Sequence, residues 1–165
     1  YPTFGWPLEK LLFFMAGGTK ALLSPVEDSE DDIDEANRLI RLNNVSEKDI
    51  VIGLAASGNT PFTCELIKNA KKLNAFTIGI SNNPNGMILD NCKYGLCLDT
   101  GSEVVVGSTR LKAGTAQKIC LNLISTLLMI KMNRVRDGEM IRMVATNKKL
   151  RDRKIRINKT IKKNV

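Results

Sequence analysis

The chain has 165 residues, of which 43% are hydrophobic, and this composition fits one globular domain with its own core. It holds no histidine, and its four cysteines form no CxxC pair, which excludes Ser-His and Cys-His catalysis within the chain and argues against a metal site; we expect reduced cysteines, a cytoplasmic protein and no cofactor. The net charge of +8 is uneven, because 13 of 25 basic but only 3 of 17 acidic residues lie from Lys131 onward.

The first part of the chain predicts short helices around an acidic block. Residues 8–16 predict a helix that ends at Gly17 and Gly18, and residues 19–23 predict one or two further turns. Seven acidic residues follow between Glu27 and Glu35, and the apolar spacing behind them predicts a helix over residues 31–43. Acidic side chains at the start of that helix suit the positive end of its dipole.

The middle of the chain alternates short apolar runs with helical patterns, which indicates an α/β fold with a parallel sheet. In chain order we predict a buried strand over 49–55, a helix over 61–73, a buried strand over 75–81, a turn over 82–86, a helical turn over 87–91 and a strand over 94–98. Residues 111–132 predict a long buried core helix, because the apolar run inside it is too interrupted for a membrane span of ~18 residues.

A basic amphipathic helix is predicted over residues 146–162, so we expect one domain over residues 1–145 and a separate basic helix over 146–165. Basic helices can bind phosphates, but this one carries no aromatic residue on which a base could stack. We therefore expect a solvated or inter-subunit helix, with neither nucleic acid nor membrane as a partner.

The segment Ala55-Ala56-Ser57-Gly58-Asn59-Thr60-Pro61 lies between a predicted strand and a predicted helix. Gly58 permits a tight turn, and Thr60 and Pro61 suit the N-cap and first position of a helix. The hydroxyls and the exposed N–H groups of residues 57–60 favour a bound phosphate, although an ordinary capped turn explains the pattern equally well.

A second polar cluster runs from Gly101 to Lys118 and opens the long helix. It contains Glu103, Ser108, Arg110 and Lys112. Cations are disfavoured at a helix N-terminus, so Arg110 and Lys112 indicate either a bound anion or pairing with Glu103. A surface helix start with incidental charges is the alternative.

The stretches GLAASGNTPF and GSTRLKAGTAQK together resemble the N-acetylmuramic acid 6-phosphate etherases, which belong to the sugar-isomerase (SIS) proteins. The resemblance extends over nearly the whole chain, from Pro2-Thr3-Phe4-Gly5 through Val26-Glu27-Asp28-Ser29-Glu30-Asp31-Asp32 to Ala145-Thr146-Asn147-Lys148-Lys149-Leu150. It implies a flavodoxin-like α/β/α sandwich with a parallel sheet, incomplete in this chain. It also implies a homodimer.

The etherase resemblance implies removal of the D-lactyl ether of N-acetylmuramic acid 6-phosphate by elimination and hydration, without a metal. The products are N-acetylglucosamine 6-phosphate and D-lactate, in the recycling of cell-wall sugars. By the same resemblance Glu30 corresponds to an active-site glutamate and residues 57–60 to a sugar-phosphate loop. Four further residues correspond to the lining of the site: Glu103, Ser108, Arg110 and Lys112.

Two elements of the etherase pattern lie upstream of Tyr1 in that family, a second acid/base glutamate and a first phosphate loop. We therefore expect the chain to be a piece of a longer protein and to be inactive or crippled alone. Non-enzymatic SIS regulators, such as the glucokinase regulatory protein and SIS-containing transcription factors, use equivalent loops to sense phosphosugars. A phosphosugar sensor is thus the alternative function.

Overall fold

The computed structural model describes residues 2–163, and their secondary structure follows the predicted alternation of helix and strand. The helices are Ile33–Leu42 (α1), Pro61–Lys72 (α2), Met87–Asn91 (α3), Lys112–Lys131 (α4) and Lys148–Lys163 (α5). The strands are Ile50–Leu54 (β1), Phe76–Ser81 (β2) and Tyr94–Cys97 (β3). These bounds lie within two residues of the predicted ones, so the α/β prediction is confirmed.

The described residues form two compact units. One runs from Phe14 to Ile119 and contains the sheet, and the other combines residues 2–13 with residues 120–163. In the second unit the Arg134 guanidinium lies 5.2 Å from the centroid of the Trp6 ring and donates hydrogen bonds to the carbonyls of Phe4 and Gly5. The predicted domain division at residues 145 and 146 stays a prediction.

The sheet is parallel, with strand order β1-β2-β3. Its register aligns Gly53, Gly79 and Gly95 in one row across the three strands. A Cβ atom on Gly53 would lie 2.6 Å from Ile67 of α2, and one on Gly79 would lie 2.6 Å from the Ile88 carbonyl of α3. The glycine row therefore lets both helices pack closely on this face of the sheet.

The core of the sheet-containing unit consists of two clusters of buried side chains. The first joins α1 to α2, and its buried members are Ala36, Ile40, Phe62, Leu66, Ala70 and Ala75. The second lies between the sheet and the helices α2 and α3, and its buried members are Ala55, Cys64, Ile67, Ile88 and Cys92. Both clusters use α2, which fixes the N-terminus of that helix at the end of β1.

Side chains on the other face of the sheet are more exposed than the predicted buried strands implied. Ile50 is 65% exposed and Tyr94 is 56% exposed, and the Tyr94 ring stacks on Phe76 with 5.2 Å between the ring centroids. Parallel sheets are normally covered on both faces. The sheet of this chain thus has the incomplete form that the etherase resemblance implies.

Two predictions about helices are wrong. Residues 8–16 form only a short 3₁₀ helix at Leu8–Lys10, and a second 3₁₀ helix follows at Gly18–Leu22. The helix α4 is not a buried core helix, because Leu123 and Leu127 are 57% and 58% exposed. By length and composition α4 could cross a membrane, and one such helix among the described residues is weak evidence for a membrane span.

Candidate functional site

The loop between β1 and α2 begins at Ala55 and is shaped by Gly58. Gly58 has a φ of +75°, and its backbone N–H donates to the Ala55 carbonyl at 2.9 Å. The Asn59 N–H donates to the hydroxyl oxygen of Ser57 at 3.2 Å. Two of the four N–H groups predicted to face an anion are therefore used within the loop itself.

The donors that remain lie at the two ends of the loop. Within residues 2–163, no hydrogen bond engages the N–H groups of Ser57 and Thr60. Thr60 is the N-cap of α2, as predicted, but its hydroxyl makes no capping bond, and Pro61 follows at the first helical position. The first-turn N–H groups of a helix have no partner within the helix, so this end of α2 offers several donors together with the Thr60 hydroxyl.

The segment after β2 braces this loop, which sequence reasoning did not predict. Side-chain Nδ2 of Asn83 donates to the Ser57 carbonyl at 3.0 Å, and the Met87 N–H donates to Asn59 Oδ1 at 2.9 Å. The two loops also touch at their glycines, because a Cβ atom on Gly58 would lie 2.4 Å from Gly86 Cα. One signal was available: the carboxyl ends of parallel strands share one edge of a sheet, which places the turn at 82–86 beside the loop.

At the start of α4, the Glu103 carboxylate accepts hydrogen bonds from the N–H groups of Ala113 at 2.9 Å and Lys112 at 3.1 Å. The Ala113 bond is the largest cause that holds the pKa of Glu103 below its ordinary value, and the Lys112 N–H and ammonium lower it further. Glu103 therefore occupies the N-terminus of α4. Among the described residues, neither Arg110 nor Lys112 forms a salt bridge with Glu103, whose partners are backbone N–H groups of α4, so the predicted bound anion and the predicted charge pairing both stay predictions.

The other predicted residues of this cluster lie beside that cap. Arg110 and Lys112 line a surface depression of about 570 Å³. The Ser108 side chain is half-buried, and its backbone N–H donates to the Val105 carbonyl at 2.9 Å. Farther along α4, Gln117 Nε2 donates to Asn82 Oδ1 at 2.9 Å, which ties α4 to the residue that follows β2.

Glu30 is exposed and lies in a 3₁₀ helix, Ser29–Asp31, that packs against α2. The residue before this helix, Asp28, has a φ of +57°. Among the described residues, no hydrogen bond joins the Glu30 carboxylate to the Ser57–Thr60 loop or to Glu103. The structure thus places the 3₁₀ helix of Glu30 against α2, the helix that follows the loop, without a direct link between Glu30 and the loop.

The fold and the loops agree with a comparison against known protein families. A model of the SIS domain matches residues 32–131, which is more than half of the chain. The chain belongs to the SIS domain family. The matched part of this SIS chain includes the loop at residues 57–60, Glu103 and the start of α4, whereas Glu30 lies just before it.

The SIS chain is also similar to curated bacterial proteins named N-acetylmuramic acid 6-phosphate etherase. It is 46% identical to that of Clostridium acetobutylicum over 156 residues, which are 94% of this chain and 52% of the relative. It is 44% identical to that of Staphylococcus saprophyticus and 41% identical to that of Deinococcus radiodurans, over 94% of the chain and 53% and 51% of those relatives. The SIS chain therefore spans about half the length of the curated relatives it matches.

Proposed function

We propose that this chain is part of a cytoplasmic enzyme that cleaves the D-lactyl ether of N-acetylmuramic acid 6-phosphate. Elimination would release D-lactate, and hydration would then give N-acetylglucosamine 6-phosphate, a reaction of cell-wall sugar recycling. One observation carries the proposal: relatives named for this etherase activity are 41% to 46% identical over 94% of the chain. The match to the Clostridium acetobutylicum relative covers 156 of the 165 residues, so it is not confined to one part of the chain.

In this proposal the sugar phosphate binds at the N-terminus of α2. The Thr60 hydroxyl, the Ser57 hydroxyl and the Thr60 N–H are its first donors. Each can donate to a phosphate oxygen, and the dipole of α2 adds a positive field. No acidic residue occupies the first turn of α2, so an anion meets no carboxylate there.

Glu30 is proposed as a proton-transfer group. Elimination needs a base near C2 of the open-chain sugar, and the chain has no histidine to serve as one. Glu30 belongs to the 3₁₀ helix that packs on α2, the helix whose start carries the phosphate loop. Arg110 and Lys112 would add positive charge on the side of α4.

A homodimer is also part of the proposal. The exposed leucines of α4 and the exposed sheet face present apolar side chains that a second polypeptide can cover. Association through these faces predicts a mass above 18.3 kDa in light scattering. A monomer at millimolar concentration would contradict it.

The test joins this chain to the part of the Clostridium acetobutylicum relative that lies outside the alignment, with the intact relative as positive control. D-Lactate release from N-acetylmuramic acid 6-phosphate is measured for the chimera and for its Glu30→Gln variant. We expect the substitution to lower turnover by about 10²- to 10⁴-fold, the usual effect of removing a general acid or base. Glu27→Gln, three residues away in the same acidic segment, is the matched control.

An active chimera whose Glu30→Gln variant turns over within a few-fold of the parent would reduce Glu30 to a surface charge. A folded chimera that binds the sugar phosphate but releases no D-lactate would favour the phosphosugar sensor. A folded chimera without either property would refute the proposal for this chain.

A further inference from the structure

Asn83 stands out among the residues that brace the β1–α2 loop, because it is the one whose side-chain amide reaches the backbone of Ser57. Its Nδ2 donates to the Ser57 carbonyl across 26 positions of sequence. That carbonyl shares a peptide unit with the Gly58 N–H, which donates to Ala55. Both ends of one peptide plane are therefore held, one by Asn83 and the other by the loop itself.

The orientation of the Asn83 amide is itself fixed. Its Oδ1 accepts the Asn85 N–H at 3.0 Å, so Nδ2 is the atom left to face Ser57. The Ser81 hydroxyl fixes the Asn83 backbone, because it accepts the Asn83 N–H at 2.9 Å and donates to the Asn83 carbonyl at 3.0 Å. Pro84 further restricts the Asn83 backbone to extended conformations.

We propose that Asn83 is a positioning residue of the phosphate loop, acting through the Ser57–Gly58 peptide. The proposal rests on the function proposed above. Holding this peptide keeps the Gly58 N–H on Ala55 and leaves the Ser57 hydroxyl and the Thr60 N–H for the ligand. One Nδ2 N–H of the Asn83 amide is bonded to the Ser57 carbonyl and its Oδ1 to the Asn85 N–H, so in this proposal Asn83 acts through Ser57.

The positioning role of Asn83 can be tested by replacing its amide NH₂ group with a carboxylate oxygen. Asn83→Asp keeps an acceptor for the Asn85 N–H but places a carboxylate oxygen against the Ser57 carbonyl, which repels it. Asn85→Asp is the matched control, since it adds the same charge in the same turn at an exposed side chain. Within the described residues, no hydrogen bond involves the Asn85 side chain.

The first measurement follows the Gly58 and Asn59 amides of the free chain by ¹⁵N NMR. At pH 7 we expect Asn83→Asp to shift both signals and to speed their hydrogen exchange about tenfold, with little change in Asn85→Asp. Near pH 3 the new carboxyl group is protonated and can donate to the Ser57 carbonyl again, so the wild-type shifts should return. A general loss of stability would not show this recovery.

The second measurement titrates the chimera described under the proposed function, with each substitution made in this chain, with N-acetylglucosamine 6-phosphate at pH 7, far below the melting temperature of each variant. We expect roughly five- to tenfold weaker binding for Asn83→Asp than for Asn85→Asp, and for Asn83→Ala than for Asn85→Ala, because the displaced loop loses about one hydrogen bond to the phosphate. Equal affinities in the Asn83 and Asn85 variants would overturn the positioning role while the proposed phosphate site stands. A folded chimera without any substitution that does not bind the sugar phosphate would overturn both.

Discussion

Gly58 and Gly86 lie in close contact, and alanine substitutions at three glycines can measure separately what this contact and the backbone conformation of Gly58 contribute to stability. Gly58 combines a φ of +75° with a Cβ position only 2.4 Å from Gly86 Cα and 2.6 Å from Ser81 Oγ. Left-handed backbone costs an alanine roughly 1 to 2 kcal/mol, and overpacking costs roughly 1 to 3 kcal/mol. Gly58→Ala should therefore lower the free energy of unfolding by roughly 2 to 5 kcal/mol.

Alanine substitutions at two other glycines separate the cost of the left-handed backbone from the cost of overpacking. Gly107 has nearly the same φ, +76°, but a Cβ atom there would have no neighbour within 4 Å, so Gly107→Ala should cost only the roughly 1 to 2 kcal/mol of backbone strain. Gly86 has a φ of −71°, yet its Cβ atom would lie 2.7 Å from Gly58 Cα, so Gly86→Ala should cost roughly 1 to 3 kcal/mol from packing alone.

Urea unfolding of the three variants measures these costs as shifts of the midpoint at constant slope. The expected order of destabilisation places Gly58→Ala first, ahead of both Gly86→Ala and Gly107→Ala. If Gly58→Ala and Gly107→Ala lose the same stability, the two loops are not in close contact. The bracing of the β1–α2 loop by the turn at residues 82–86 would then lose its geometric basis.

Two further predictions concern the two helix starts. Thr60→Val keeps the side-chain shape and removes the hydroxyl, so it should weaken sugar-phosphate binding by roughly 1 to 2 kcal/mol in calorimetry while leaving stability nearly unchanged, since that hydroxyl makes no capping bond; unchanged affinity would exclude the hydroxyl as a ligand. The pKa of Glu103 is lowered in the folded state, so its stabilising effect is present above its ordinary value of 4.5 and is lost as the pH falls through the lower folded value. Between about pH 6 and pH 3, Glu103→Gln should therefore lose less stability than the exposed control Glu47→Gln, and an equal loss would show that the cap is not formed.

Most helices and strands of the sheet-containing unit could be predicted because their ends are sharply marked. The Gly58 turn and Pro61 separate β1 from α2, and the turn at 82–86 separates β2 from α3. The helix predicted over residues 8–16 failed for a physical reason. Its apolar spacing is helical, but Leu12 and Phe13 are 56% and 84% exposed, and an isolated helix without a buried face is marginal.

The candidate site was predictable only where its chemistry is local. Residues 57–60 could be read from a strand, a glycine and a helix cap in succession. The bond from Asn83 to Ser57 joins residues 26 positions apart, so no local pattern announces it. The prediction that α4 is buried failed for a similar reason. The sequence shows that Leu123 is apolar, but it does not show which surface covers it.

The choice between the two helix starts as the anion site depends on which N–H groups are free. Positive charge alone favours α4, which begins beside Arg110 with Lys112. However, the Lys112 and Ala113 N–H groups already donate to Glu103, and an anion there would have to displace a carboxylate and leave it beside the bound phosphate. At α2 the Thr60 hydroxyl and N–H have no bond within the described residues, and no carboxylate lies in the first turn. The free donors therefore support the proposal that the phosphate binds at α2, and we propose that Glu103 holds the α4 start in place.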